Sequence, residues 1–131
     1  MTPLRIVVLE GNDTRRHTLL SKLATNANDV VFGSADIEDS FGLCVSSPTD
    51  VLMCNISDDE MACTSLLRRI VQLPDIPAVS FHGCPDEIGI VEKSCLHLGL
   101  RYLGYLPHPI DEIRLARMLD LVRAYRNRVT S

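Results

Sequence analysis

The stretch Asp50-Val51-Leu52-Met53-Cys54-Asn55-Ile56-Ser57 decides the fold. An apolar run between two polar ends is typical of a short strand that is buried on both faces, as in a parallel sheet. Asn55 falls at the carboxyl end of this strand, and open parallel sheets hold ligands and reacting groups at that end. A carboxylate there could accept a phosphoryl group, whereas Asn55 carries an amide.

Four further apolar runs, at 4–9, 30–32, 78–81 and 100–106, have the composition of strands, and helical patterns separate them. This alternation predicts an α/β fold, with a five-stranded parallel sheet and helices on both of its faces. The chain of 131 residues shows no linker, repeat or shift of composition. We therefore predict one domain over residues 1–131.

Capping residues set the predicted helix boundaries. Asp13 or Thr14 is predicted to cap the first helix, Asp36 a second helix that ends near residue 45, and Asp111 a last helix that ends near residue 127. Gly99 is predicted to close the fourth helix, which starts at 84–86. Three acidic residues at 58–60 open the third helix, where they complement its dipole.

Apolar residues at helical spacing are expected to face the core. The predicted core residues of the third and last helices are Met61, Leu66, Leu67, Ile70, Val71, Ile113, Leu119, Val122 and Tyr125. Three arginines near the end, Arg123, Arg126 and Arg128, are interpreted as a solvated helix face rather than a nucleic-acid patch.

Charge and hydropathy exclude several classes of partner. The net charge of −4 provides no field that would attract nucleic acid or an anionic membrane. No apolar run reaches the roughly 18 residues of a membrane span. The N-terminus lacks the basic-then-apolar pattern of a signal peptide, so the sequence predicts a cytoplasmic setting.

Five cysteines, an odd number without CxxC spacing, indicate neither a disulfide framework nor a zinc site. They are Cys44, Cys54, Cys63, Cys84 and Cys95. We interpret them as small buried hydrophobic residues, with a redox-sensing thiol as the alternative.

These stretches together resemble a response-regulator receiver (CheY-like) domain along nearly the whole chain. The matching segments are 5–10 (RIVVLE), Pro48 with 50–55, 76–81 (IPAVSF), and Gly99 through His108-Pro109. The resemblance implies a flavodoxin-like (βα)5 three-layer sandwich with strand order 2-1-3-4-5. The tail from Leu98 to Arg126 is more narrowly similar to the receivers that precede EAL phosphodiesterase domains, which hydrolyse cyclic di-GMP.

The resemblance also identifies departures from the receiver pattern. The two acidic positions that hold Mg²⁺ fall on Glu10 and Gly11, and the phosphoacceptor falls on Asn55. The switch Ser or Thr falls on His82. The lysine before a cis proline falls on His108 and Pro109; an alternative alignment uses Leu106-Pro107, and the lysine is missing in either case.

These departures predict a degenerate pseudo-receiver. An amide oxygen is a far poorer nucleophile than a carboxylate, and Mg²⁺ prefers anionic oxygen ligands. We therefore expect no phosphotransfer, no resident cofactor and weak or absent Mg²⁺ binding. Any catalysis would reside in an output domain that this chain does not contain.

The predicted function is therefore regulation through protein–protein contacts, in two-component or cyclic di-GMP signalling. The resemblance implies a homodimer through the fourth helix, fifth strand and fifth helix, or contact with an attached output domain; Arg101, Tyr102 and Tyr105 are the candidate interface residues. The alternatives are a small-molecule or nucleotide sensor that uses the remodelled pocket, and an unusual phospho-accepting receiver. His82 and His108 could form a pH-sensitive or metal-binding pair, but without a nearby carboxylate cluster we predict no metal site.

Overall fold

A computed structural model describes residues 3–26, 28–55, 60–83 and 88–130 of the chain, without the side chains of residues 60 and 128–130. The strands are β1 (Arg5–Leu9), β2 (Val30–Ser34), β3 (Val51–Asn55), β4 (Ala78–Gly83) and β5 (Tyr102–Pro107). The helices are α1 (Asp13–Leu23), α2 (Ile37–Ser46), α3 (Glu60–Ile70), α4 (Ile88–Leu98) and α5 (Glu112–Thr130). Residues 56–59, Cys84 and the predicted helix start at 84–86 lie outside the described residues.

The strands form one parallel sheet in the order β2-β1-β3-β4-β5. This order confirms the predicted α/β class and the flavodoxin-like topology. β3 lies in the middle, paired with β1 on one side and β4 on the other. Because both faces of β3 are covered, its four apolar residues, Val51 to Cys54, are all fully buried.

Alternate residues of the strands supply two apolar cores, one on each face of the sheet. On one face Leu52 and Phe81 pack with residues of α2, α3 and α4. On the other face Val8 and Met53 pack with residues of α1 and α5. The molecule is therefore three layers deep, and the face to which a strand residue points decides which helices it meets.

Four thiols belong to the layer formed with α2, α3 and α4. Cys44, Cys54, Cys63 and Cys95 are buried in that core as free cysteines. Burial raises the pKa of the Cys95 thiol to about 12, so the unreactive protonated form dominates. The interpretation as buried hydrophobic residues is confirmed for these four.

Two of the boundaries that differ from the prediction have a clear local reason. Asn12, rather than Asp13 or Thr14, caps α1, because its extended backbone lets its side chain accept from the Arg15 amide at 2.9 Å. β5 starts at Tyr102 rather than at residue 100, because the Leu100 amide still closes α4 by donating to the Cys95 carbonyl. The caps at Asp36, Gly99 and Asp111 are as predicted.

Three predicted core residues lie on the surface instead. Met61, Ile113 and Tyr125 are 79%, 64% and 46% exposed. The buried stripe of α5 consists of Leu115, Met118, Leu119 and Val122, with spacing i, i+3, i+4, i+7. Ile113 lies outside that stripe, and Met61 lies outside the corresponding stripe of α3.

The prediction of a solvated arginine face on α5 is also wrong. Arg123 is buried and forms an ion pair with Asp29, and Arg126 forms one with Asp50 at 2.9 Å. The Arg128 side chain lies outside the described residues. Separately, no helix within the described ranges is both long and apolar enough to cross a membrane.

Candidate functional site

The strand register brings four polar residues together at the carboxyl edge of the sheet. Asn55 of β3 and His82 of β4 are paired directly across their strands, and Glu10 follows the last residue of β1. His108 lies two residues beyond Leu106, the β5 partner of His82. Because strand side chains alternate, Glu10 and Asn55 continue the row that faces α1 and α5.

Glu10 is a buried carboxylate with partners inside the chain. The backbone amide of Asn12 donates to Oε2 at 3.0 Å, and the side-chain amide of Asn55 donates to Oε1 at 2.5 Å. Burial raises the pKa of Glu10, but neighbouring His82 and the hydrogen bonds from Asn12 and Asn55 together lower it to about 2. Glu10 therefore provides a fixed negative charge beneath the carboxyl edge.

His82 has no exposed surface, and its Nε2 lies 3.5 Å from Glu10 Oε1. That separation is longer than a good hydrogen bond. Within the described part of the chain, neither ring nitrogen of His82 has a hydrogen-bond partner. Buried polar atoms of this kind are uncommon in native proteins, and each one calls for an explanation.

His108 approaches the same carboxylate oxygen from the β5 side. Its Nε2 is buried, lies 4.0 Å from Glu10 Oε1 and has no hydrogen-bond partner in the described ranges. Burial and the charges of His82 and Arg15 lower the pKa of His108, whereas Glu10 opposes this shift. The peptide bond between His108 and Pro109 is cis, which places the cis proline at Pro109 and not at Pro107.

The residues do not fit the Mg²⁺ site that the resemblance implies. Glu10 is the single carboxylate among the predicted pocket residues, since Gly11 has no side chain and Asn55 turns its amide nitrogen toward Glu10. The two other side chains at this edge offer imidazole nitrogens. Mg²⁺ requires several hard oxygen ligands, so this donor set is unsuited to it.

Of the predicted interface residues, Arg101 and Tyr102 lie at the start of β5, away from this edge, whereas Tyr105 reaches the end of β4 next to His82. The Tyr102 hydroxyl donates to Glu92, and the Tyr105 hydroxyl donates to the Gly83 carbonyl. The Arg101 guanidinium lies 4.0 Å from the centre of the Tyr125 ring. All three are half-buried, and their polar groups already have partners within the chain.

Sequence reasoning missed two residues that position Glu10. Asn12 holds Oε2 through its backbone amide and also caps α1. Arg16 donates to the Glu10 carbonyl at 2.9 Å and packs beside Gly33, where a Cβ atom would lie 3.1 Å from the Arg16 side chain. The preference of Asn for helix caps was a readable signal for Asn12, whereas the role of Arg16 follows from tertiary packing alone.

Several solved structures have the same fold and match nearly the whole length of this chain. The signal receiver domain of an HD domain-containing protein from Pseudomonas fluorescens matches with a TM-score of 0.78 at 16% identity, covering 96% of this chain and 98% of that one. The chain has the fold of a receiver domain. The signal receiver domain of a modulated diguanylate cyclase from Desulfovibrio desulfuricans matches with a TM-score of 0.77 at 13% identity, covering 99% and 100% of the two chains.

A third similar structure with the receiver fold is the N-terminal domain of an uncharacterized protein from Wolinella succinogenes. It matches with a TM-score of 0.78 at 23% identity, covering 94% of this chain and 96% of that chain. No protein-family model and no curated protein matches the sequence. At these identities the likeness concerns the fold, and the chemistry must be argued from the residues themselves.

Proposed function

We propose that this chain is a degenerate receiver domain that regulates by contact and does not accept a phosphoryl group. The proposal rests on one observation: the residue at the phosphoacceptor position is Asn55, and its amide donates to the carboxylate of Glu10. The position therefore lacks a nucleophilic carboxylate, and the acidic side chain beside it already has a partner.

The switch and lysine positions support the same proposal. His82 fills the switch position with a buried ring and cannot supply the short hydroxyl bond that Ser or Thr would make to a phosphoryl oxygen. His108 replaces the lysine, and its lowered pKa favours the neutral imidazole. A phosphoryl group at residue 55 would thus meet neither a hydroxyl at the switch position nor a permanent cation at the lysine position.

The regulatory contact is proposed to use the face formed by α4, β5 and α5. Large apolar side chains are exposed on both helices of this face, among them Leu96 at 71% and Leu121 at 66%. The partner would be a second copy of the chain or an attached output domain. Two of the similar structures are signal receiver domains of larger proteins, one of them a diguanylate cyclase. With the EAL-like tail, this favours a cytoplasmic role in cyclic di-GMP signalling.

Phosphoryl analogues test the central statement of the proposal. We expect acetyl phosphate with Mg²⁺ to leave the intact mass unchanged, and beryllofluoride with Mg²⁺ to leave the melting temperature unchanged. The variant Asn55→Asp alone should still bind Mg²⁺ weakly, because Gly11 contributes no carboxylate. A phosphoryl adduct on the wild-type chain, or micromolar Mg²⁺ affinity in the single variant, would contradict the proposal.

A double variant supplies the matched control for that experiment. A Cβ atom at Gly11 would meet only the Ala35 carbonyl, at an ordinary contact distance of 3.6 Å, so Gly11→Asp is sterically tolerated. Combining it with Asn55→Asp restores three carboxylates around the site. Mg²⁺ affinity should rise at least about tenfold over the single variant, because Mg²⁺ binding depends on anionic oxygen ligands. This gain shows that the assay can detect Mg²⁺ binding.

Self-association is tested by light scattering after gel filtration at two concentrations. We expect the dimer fraction to rise with concentration and to fall in Leu121→Glu, which places a charge on the proposed face. Met61→Glu is the matched control, because Met61 is also a large exposed apolar residue, at 79%, but lies on α3. A monomer at all concentrations, or equal effects of the two variants, would refute a homodimer through this face.

A further inference from the structure

The two imidazoles and the carboxylate at the carboxyl edge are arranged around one point. One ligand atom from each of Glu10, His82 and His108 lies within 4.8 Å of the other two. Both Nε2 atoms approach the same oxygen, Glu10 Oε1, at 3.5 and 4.0 Å. A single carboxylate, that of Glu10 directly after β1, therefore lies close to both rings.

These separations are too long for good hydrogen bonds. They are close to the distances between neighbouring ligand atoms of a bound metal ion. Ligand atoms at about 2.0–2.1 Å from a tetrahedral Zn²⁺ are separated by roughly 3.3 Å. The observed distances of 3.5 and 4.0 Å from Glu10 Oε1 need only small side-chain rotations to reach that value. The geometry thus leaves space for a cation among the three atoms, and no direct bond between them fills it.

The buried state of His82 is the second, independent observation. Its side chain has no exposed surface, and Nε2 faces an ionised carboxylate without bonding to it. Leaving a polar atom buried and unbonded destabilises the folded chain. A cation bound at Nε2 would satisfy that ring nitrogen and the carboxylate together.

Supporting contacts fix the carboxylate in the manner of a metal ligand. Asn12 and Asn55 hold the two oxygens of Glu10, so its orientation is set before any ion arrives. Such outer partners usually orient metal ligands in proteins. His108 is also 26% exposed and lines a cleft with residues of α1, including Arg15 and Thr18.

We propose that Glu10, His82 and His108 form a binding site for one divalent transition-metal ion of the zinc class. Two imidazole nitrogens with one carboxylate oxygen suit such ions, and this set differs from the all-oxygen set that Mg²⁺ requires. The site ties β1, β4 and the segment after β5 together at the carboxyl edge. The metal site does not depend on the proposed lack of phosphorylation. Zinc titration tests the metal site, and the acetyl phosphate experiment tests the lack of phosphorylation.

Zinc binding to the untagged, chelator-treated chain tests the site directly by isothermal titration calorimetry. We expect one Zn²⁺ per chain, a rise in melting temperature, and no comparable response to Mg²⁺. His108→Ala and Glu10→Gln should each weaken Zn²⁺ binding by more than about 100-fold, because even the outer partners of metal ligands are worth about 10- to 100-fold. Asn55→Ala, which removes an outer partner, should weaken binding by about tenfold.

The matched control removes the two other histidines. His17 and His97 are exposed on α1 and α4, and the double variant His17→Ala/His97→Ala should bind Zn²⁺ as the wild-type chain does. Cobalt substitution separates this site from the thiols, since ligation by nitrogen and oxygen gives no thiolate charge-transfer band. X-ray absorption of the zinc-loaded wild-type chain should show two imidazoles in the first coordination sphere, and this readout needs no variant to fold.

Three outcomes would overturn the site. They are the absence of saturable Zn²⁺ binding, affinity that survives both His108→Ala and Glu10→Gln, and a coordination sphere dominated by sulfur. A phosphoryl adduct in the separate acetyl phosphate experiment would refute the proposed function without affecting this result.

Discussion

The two edges of the sheet carry buried polar groups in contrasting states. At the amino edge, Asp29 accepts from the Leu4 amide at 2.9 Å and forms an ion pair with Arg123. Asp50 accepts from the Arg5 amide at 2.8 Å and from Arg126 at 2.9 Å. At the carboxyl edge, the Nε2 atoms of two histidines lie beside a carboxylate, and neither has a hydrogen-bond partner among the described residues.

This difference separates groups that maintain the fold from groups that we propose to bind a ligand. The aspartates of the amino edge join the starts of β1 and β3 to α5, and each of them meets an opposite charge. Among the described residues, the histidines of the carboxyl edge form no comparable hydrogen bonds. Buried polar groups without partners are the exception in native proteins and point to function more directly than paired charges do.

The largest expected effect comes from breaking an ion pair of the amino edge. Asp29→Asn keeps an acceptor for the Leu4 amide but removes the buried anionic partner of the Arg123 charge. We expect the free energy of unfolding to fall by about 3 kcal/mol, the cost of removing one partner of a buried pair. Urea denaturation followed by circular dichroism measures the change.

A second aspartate beside the same arginine is the control for that variant. Asp120 lies 3.8 Å from Arg123, but its side chain is 77% exposed. Asp120→Asn should change stability by less than about 0.5 kcal/mol, because exposed pairs contribute little. Equal losses in the two variants would mean that burial does not set the strength of the Asp29 pair.

A smaller effect of opposite sign is expected at the carboxyl edge. His82→Leu replaces a buried ring without hydrogen bonds by an apolar side chain, so in the presence of a chelator stability should rise by about 1 kcal/mol. The same variant should show no stabilisation by Zn²⁺. Thermal melts with chelator and with zinc test both expectations. His97→Leu serves as the control, because His97 is exposed.

If His82→Leu were less stable than the wild-type chain in the presence of a chelator, the contrast between the two edges would not hold. That result would mean that the imidazole is already satisfied inside the isolated chain, as the charges of the amino edge are. The zinc titrations of the His108 and Glu10 variants would still decide the metal site separately.

The layers of the fold were readable from the sequence because they follow from local periodicity. Continuous apolar runs predicted β1 and β3, and the alternation of strands and helices predicted a parallel sheet. The helix faces were less readable: Ile113 and Tyr125 are apolar but exposed, whereas the buried stripe starts at Leu115. Apolar character alone does not show which side of a helix meets the sheet.

The contacts at both edges depend on residues that are distant in the sequence. Arg123 and Asp29 are 94 positions apart, and nothing local to α5 indicates that this arginine is buried. The meeting of Glu10 with His82 and His108 follows from the strand register, which periodicity does not provide. Once the strand order is known, following the register from Val8 through Met53 and Ser80 places Glu10 level with His82, two strands away. His108 lies two residues beyond Leu106, the β5 partner of His82.

The four thiols between the sheet and helices α2, α3 and α4 have a practical consequence. An alkylating reagent cannot reach Cys44, Cys54, Cys63 or Cys95 until that layer separates from the sheet. The rate at which each sulfur is labelled therefore reports how often its part of the interior opens to solvent. The chain thus contains its own set of probes for local unfolding, distributed over α2, β3, α3 and α4, without any engineered residue.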